Sequence, residues 1–219
     1  MINKTILIDI DYRDNIPGFV SKDSSVMLSG KLFGFISQSE KSQLIYKQIQ
    51  ENCDVDFLLR EELDKIEFYP VPAVFIFARD SKGNYFGTLG GIGDIESKEY
   101  PVVYINKMSL RHGKIAANLS EFLSLVNFYP SWRSIIESEE QSALASLRPE
   151  VNVLQEDEKY LIVQNEIGNA LNLTYDPNAI DLLLNRLRSD PCFIVYESKH
   201  EAAKCNKMLS IEEFVGIDL

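Results

Sequence analysis

Short apolar segments separated by turn signals, between residues 73 and 106, constrain the fold of this chain more than any other feature. Residues 73–78 (AVFIFA) and 85–89 (YFGTL) flank the polar segment RDSKGN, in which Gly83 is available for a positive φ. This arrangement predicts a β-hairpin. Residues 101–106 (PVVYIN) predict a third strand, so a sheet is the expected centre of the fold.

Further elements are predicted on either side of these strands. Residues 5–10 and 31–36 have the apolar character of strands. An S-x-x-E capping box predicts a helix over residues 38–52, and helical spacing of leucines predicts another over residues 57–66. Residues 111–114 (RHGK) predict a tight turn after the third strand.

The last part of the chain is predicted to be mainly helical. Asn118 is the expected N-cap of a helix, and residues 134–147 and 157–173 have helical periodicity. Asp176 followed by Pro177 is typical of a helix start, with proline at the first helical position. Strands followed by a run of helices indicate the α+β class.

The charge balance is acidic. The chain has 33 Asp and Glu against 22 Lys and Arg, a formal net charge of −11. This balance disfavours nucleic acids and anionic membranes as partners, because both need positive charge on the protein. It favours encounter with a basic partner, although acidity also serves solubility alone.

The cysteines and the hydropathy of the chain indicate where the protein resides. The three cysteines form no CxxC pair and no cluster with histidine, so neither a disulfide framework nor a zinc site is expected. No apolar run approaches the roughly 20 residues of a membrane helix, and no secretory signal pattern is evident. We therefore expect a cytoplasmic protein with reduced thiols and no metal.

No catalytic constellation stands out in the sequence. The glycine-rich residues 87–93 (GTLGGIG) lead into an acidic loop and a strand, whereas a dinucleotide fingerprint opens a helix. His112 and His200 have no partners at the spacing of metal ligands or of a hydrolytic triad. We expect no enzyme activity, no catalytic residues and no cofactor. An enzyme with an unrecognised small-molecule site and a scaffold or assembly protein remain the alternatives.

Residues 69–126 resemble the SUKH superfamily, which contains bacterial toxin-immunity proteins and fungal regulators of glucan synthesis. The resemblance is carried by FIFARDSKGNYFGTLGG, YPVVYIN and GKIAANLSEFLSLV, in that order. The chain departs from the family in two ways. It lacks a clear opening segment before Tyr69, and its helical tail after Trp132 is longer than is common.

The resemblance implies a mixed, largely antiparallel sheet with helices packed on one side, within a SUKH-like domain over residues 1–136. Residues 137–219 would then form a helical extension or belong to the same domain. It also implies a non-catalytic protein-binding module: an immunity protein that neutralises a polymorphic toxin, often a nuclease and therefore basic, or a regulator of cell-wall synthesis. The oligomeric state stays open.

The predicted partner-binding surface combines an acidic loop with a hairpin turn. The loop contains Asp94, Glu96, Glu99 and Tyr100, and the turn contains Asp80. Loops on a rigid sheet often carry recognition, and a tyrosine supplies the kind of anchor that protein interfaces favour. A plain solvated loop is the alternative.

Overall fold

The computed structural model describes residues 31–33, 40–58, 67–72, 74–89, 100–141 and 158–208. It confirms the predicted α+β class, with a sheet that carries helices on one side. The strand predicted for residues 5–10 lies outside the described residues. No helix among the described residues is long and apolar enough to cross a bilayer.

One mixed, largely antiparallel sheet forms the centre of the fold. The predicted hairpin and third strand lie next to one another, with the hairpin's second strand between antiparallel neighbours. A parallel strand and a two-residue antiparallel strand both pair with the hairpin's first strand. The strands are β1 (Lys31–Phe33), β2 (Asp56–Phe57), β4 (Val74–Arg79), β5 (Asn84–Leu89), β6 (Val102–Asn106) and β7 (His112–Ala116), in the order β1-β4-β5-β6-β7 with β2 beside β4.

Helices cover one face of this sheet and enclose the larger core. Phe86, Phe122 and Trp132 form its aromatic centre, with ring centroids 5.3 to 6.0 Å apart. Trp132 is almost completely buried in this core. The helices are α1 (Glu40–Cys53), α2 (Leu119–Phe128), α3 (Trp132–Gln141), α4 (Glu158–Leu171) and α5 (Ala179–Leu187).

A smaller core lies on the other face of the sheet. Strand β3 (Tyr69–Val71) pairs with β8 (Ile194–Tyr196), which precedes helix α6 (Lys199–Met208). Phe193 and Val195 from this late segment are buried together with residues of the central sheet. Helix α3 crosses the predicted division at residue 137, and both cores contain residues from either side of it.

The turn predicted at RHGK is wrong by about four residues. The chain turns at residues 107–110, and His112–Ala116 is strand β7. The side-chain oxygen of Asn106 accepts hydrogen bonds from the backbone N–H groups of Met108 and Ser109, and Leu110 takes the positive φ of 54°. Gly113 lies within the strand and packs closely instead, since a Cβ there would lie 3.1 Å from the Tyr104 ring.

Two helix predictions also need correction. Phe57 belongs to strand β2, so the helix predicted for residues 57–66 does not begin there; residues 59–66 lie outside the described residues. Helix α5 begins at Ala179, two residues later than Pro177 predicts. Asp176 forms a local turn in which its side-chain oxygen accepts from the N–H of Asn178 at 2.9 Å, which leaves Pro177 outside the helix.

Candidate functional site

Asp80 occupies the predicted hairpin turn, but its carboxylate faces inward. Its side chain is fully buried and accepts hydrogen bonds from the backbone N–H groups of Lys82 and Asn84, both at 2.9 Å. Its other oxygen accepts from the amide of Asn84 at 2.8 Å and lies 3.4 Å from Nε of Arg133. This carboxylate therefore stabilises the turn, and a partner could reach it only after the turn opened.

Tyr100 lies at the opposite end of the sheet from Asp80. Asn84 starts β5 beside the hairpin turn, whereas Leu89 ends it and its N–H donates to the carbonyl of Pro101. Five residue steps of a strand span about 17 Å. A partner that contacts both sites must extend along the whole of β5. Asp94, Glu96 and Glu99 lie outside the described residues, so their role stays a prediction.

The end of the sheet that holds Asp80 is a surface of internally paired charges. Lys82 forms an ion pair with Glu137, and Arg133 forms one with Asp54. The neighbouring β6–β7 turn joins this surface through a hydrogen bond from Lys107 N–H to the Gly83 carbonyl, and it presents Met108 to solvent. Because these charges neutralise one another, this end offers a partner only a weak field.

A surface that sequence analysis did not identify lies on the loop between α4 and α5. The phenol ring of Tyr175 is stacked on that of Tyr129, with centroids 5.5 Å apart and an interplanar angle of 14°. The ring of Phe128 meets Tyr175 edge-on at 6.0 Å. Tyr175 nevertheless remains 61% exposed. We call Tyr175, its supports Phe128 and Tyr129, and the neighbouring Asp176 and Asp181 the tyrosine ledge.

Hydrogen bonds hold the backbone of the ledge in place. The hydroxyl of Tyr129 donates to the carbonyl of Asp176 at 2.5 Å. The N–H of Leu173 donates to the carbonyl of Gly168 at 2.8 Å, which closes the end of α4, and Asn172 there takes a positive φ of 53°. A tyrosine presented on such a rigid loop loses little conformational entropy when it binds a partner.

The local charge of the ledge is negative. Asp176 precedes α5 and Asp181 lies exposed in its first turn. The segment from residue 167 to residue 185 contains no lysine and no arginine. Burial raises the pKa of Tyr129, and the nearby Tyr175 hydroxyl and Asp176 carboxylate raise it further. An exposed aromatic ring beside carboxylates is suited to a positively charged partner.

The two histidines lie in different settings and share no site. His112 was expected in a turn, but it lies half-buried in strand β7, and its ring centroid is 4.7 Å from that of Phe193. Its ring nitrogens lie 2.7 Å from the carbonyl oxygen of Leu110 and 3.1 Å from that of Phe193. His200 is exposed at the start of α6. Among the described residues, no cluster of His, Cys, Asp or Glu is arranged to hold a metal ion.

Comparison with known proteins assigns no relative to this chain. No family model, curated protein or solved structure matches it. The SUKH resemblance of residues 69–126 therefore stays a prediction.

The only local signal of the ledge in the sequence is a segment that also predicts a helix start. The tetrapeptide TYDP contains a tyrosine directly before the Asp-Pro pair, which marks a turn as readily as a helix N-terminus. The exposure of Tyr175 depends on its contact with Tyr129, 46 residues earlier in the chain. No local pattern reports that contact.

Proposed function

We propose that this protein is a non-catalytic protein-binding module that acts as an immunity protein and neutralises a basic toxin. The observation that carries the proposal is the tyrosine ledge, in which an exposed, supported Tyr175 stands beside Asp176 and Asp181. Tyrosines in rigid surroundings are frequent hot spots of protein interfaces. The carboxylates add complementarity to a surface rich in lysine and arginine.

The arrangement of residues 69–126 gives a second line of support. The three segments that resemble the SUKH superfamily fold as a hairpin, a neighbouring strand and a helix, in that order. Asn118 caps the helix, accepting at 2.9 Å from the N–H of Glu121. This is the order of elements that the resemblance implies, and in that family bacterial members are often immunity proteins.

The net charge of the whole chain agrees with a basic partner. A net charge of −11 attracts a positively charged protein from a distance and raises the rate of association. Many toxins of the proposed class are nucleases, and a nuclease surrounds its active site with positive charge to hold phosphates. An acidic inhibitor exploits the same field.

The direct test is protection of cells against a candidate toxin. The toxin domain is taken from a large secreted-protein gene adjacent to the gene for this protein, and it is expressed with and without this protein. The proposal predicts restored growth, a stable complex of the purified pair, and about tenfold or greater weakening of that complex by Tyr175→Ala, as for an interface hot spot. Ile162→Ala is the matched control, because Ile162 is similarly exposed at 55% but lies on α4, outside the ledge.

The results distinguish failure of the immunity role from failure of the ledge as the binding surface. If growth is not restored and the purified pair does not associate, this protein is not the immunity protein of that toxin. If growth is restored but Tyr175→Ala and Ile162→Ala weaken the complex equally, the ledge is not the binding surface.

A further inference from the structure

We propose that the tyrosine ledge is a binding site for an arginine side chain, whose guanidinium group stacks on the exposed ring of Tyr175 and pairs with the carboxylates of the ledge. The inference deepens the proposed function, because it specifies which group on a basic partner this surface takes. It rests on the geometry of the stack, on the exposure of the ring and on the local charge.

Tyr175 keeps exposed ring surface for a ligand. The ring of Tyr129 is stacked nearly parallel to that of Tyr175, with centroids 5.5 Å apart. The plane of the Phe128 ring is at 90° to that of Tyr175. With those contacts in place, more than half of Tyr175 is still in contact with water. The face of an aromatic ring carries negative electrostatic potential and attracts a cation placed over it.

The carboxylates favour a cation that can also donate hydrogen bonds. One oxygen of Asp176 accepts from the N–H of Asn178, and a carboxylate has capacity for several more donors. Asp181 is exposed one turn further along, in α5. Two carboxylates thus follow Tyr175 closely in the chain, and the charge of Asp176 reaches Tyr129, the ring on which Tyr175 is stacked.

The aromatic ring and the carboxylates together favour arginine over lysine. A guanidinium is planar, so it stacks flat on a ring while its N–H groups at the edge reach a carboxylate. An ammonium is a compact, strongly hydrated charge, and it gains only the electrostatic part of the same interaction. The site should therefore distinguish two peptides of equal charge.

The test uses two peptides and the full-length protein. Capped hexa-arginine and capped hexa-lysine are titrated into ¹⁵N-labelled protein at about 0.15 M salt, where unspecific attraction is screened over about 8 Å. The amide signals of residues 174–178 and the ring signals of Tyr175 are followed by NMR. We expect hexa-arginine to shift these signals and to bind about two- to fivefold more tightly than hexa-lysine, the range for an exposed cation–π contact.

Variants separate the ring from the charge. Tyr175→Phe keeps the aromatic face and should retain the preference for arginine. Tyr175→Leu keeps apolar bulk but removes the π system, so it should bind both peptides equally. The double variant Asp176→Asn, Asp181→Asn should weaken the binding of both peptides and reduce, without abolishing, the preference for arginine. Ile162→Ala serves as the control variant and should behave as the unmodified protein.

Equal binding of the two peptides to the unmodified protein, or an arginine preference that survives in Tyr175→Leu, would overturn the site and indicate diffuse attraction to an acidic chain. These results are independent of the toxin experiment. A clear arginine preference with no complex between this protein and the adjacent toxin would support the site and count against the proposed function. A complex with the toxin and no arginine preference would support the proposed function and overturn the arginine site.

Discussion

The side-chain amide of Asn84 donates to the carboxylate of Asp80 at 2.8 Å, across the turn that joins β4 to β5, and both side chains are buried. The same carboxylate accepts from the backbone N–H groups of Lys82 and Asn84. Asp80, which was predicted to contact a partner, therefore stabilises the hairpin turn through these hydrogen bonds. Buried donors that lose such an acceptor are costly to the folded state.

Asp80→Ala should accordingly lower the free energy of unfolding by about 2–4 kcal/mol, because it removes three hydrogen bonds and leaves buried N–H groups without an acceptor. Urea unfolding followed by circular dichroism measures the change. Ser81→Ala is the control, since the Ser81 hydroxyl makes an exposed hydrogen bond to Asp54, and it should cost less than about 1 kcal/mol. Equal stability of the two variants would contradict this role of Asp80.

Two glycines should respond to alanine in opposite directions. A Cβ at Gly87 would lie 2.5 Å from Cγ1 of Val74 and 2.6 Å from the backbone oxygen of Phe75, so Gly87→Ala should destabilise the protein by about 2–3 kcal/mol or more. A Cβ at Gly168, within α4, would lie no closer than 3.5 Å to its neighbours, which is an ordinary contact. Gly168→Ala should therefore stabilise the protein by about 0.5–1 kcal/mol through helix propensity. Thermal unfolding of both variants tests the pair, and a stabilised Gly87→Ala would refute the packing of β4 on β5.

Acid should weaken the contact between α3 and α5. The hydrogen bonds from Arg188 hold the pKa of Glu139 below its ordinary value of 4.5. A lowered folded-state pKa contributes stability that is present above the unfolded pKa and is lost as the pH falls through the folded pKa. The difference in unfolding free energy between the protein and Arg188→Gln should therefore be small but present at pH 7 and vanish as the pH falls well below 4.5.

The control for the acid experiment is Lys47→Gln, which removes a more exposed pair with Glu51. It should show a weaker dependence on pH than Arg188→Gln does. Urea unfolding at several values between pH 7 and pH 3 provides the comparison. A difference for Arg188→Gln that grew toward low pH would have the wrong sign for this ion pair.

Tyr129 should act as a positioning residue for Tyr175. Tyr129→Phe keeps the stacked ring but removes the hydrogen bond to the carbonyl of Asp176, so it should cost about 1 kcal/mol of stability. It should also broaden the range of conformations of Tyr175, which NMR relaxation of the ring signals detects. The control is Ser138→Ala, because the Ser138 hydroxyl donates to the Ile135 carbonyl within α3, which contributes no residue to the ledge, and it should leave Tyr175 unchanged. Equal effects of both variants on Tyr175 would argue against a positioning role.

The sequence by itself determined the α+β class and most of the central elements. The hairpin, the third strand and the helix capped by Asn118 were predicted correctly, because periods of 2 and 3.6 residues and a cap hydrogen bond are local properties. It also determined the acidic charge. The turn at RHGK was predicted wrongly because Asn106 supplied hydrogen bonds that made a glycine unnecessary.

Only the tertiary structure decided which of the candidate side chains are buried and which are exposed. It buried Asp80, separated that residue from Tyr100 by the length of β5, and set Tyr175 on a ring that lies 46 residues away in the chain. Periodicity reports which side of an element is apolar, but the neighbours of an exposed side chain depend on how elements dock. Docking is governed by the packing of the two cores, and that information is spread over the whole chain.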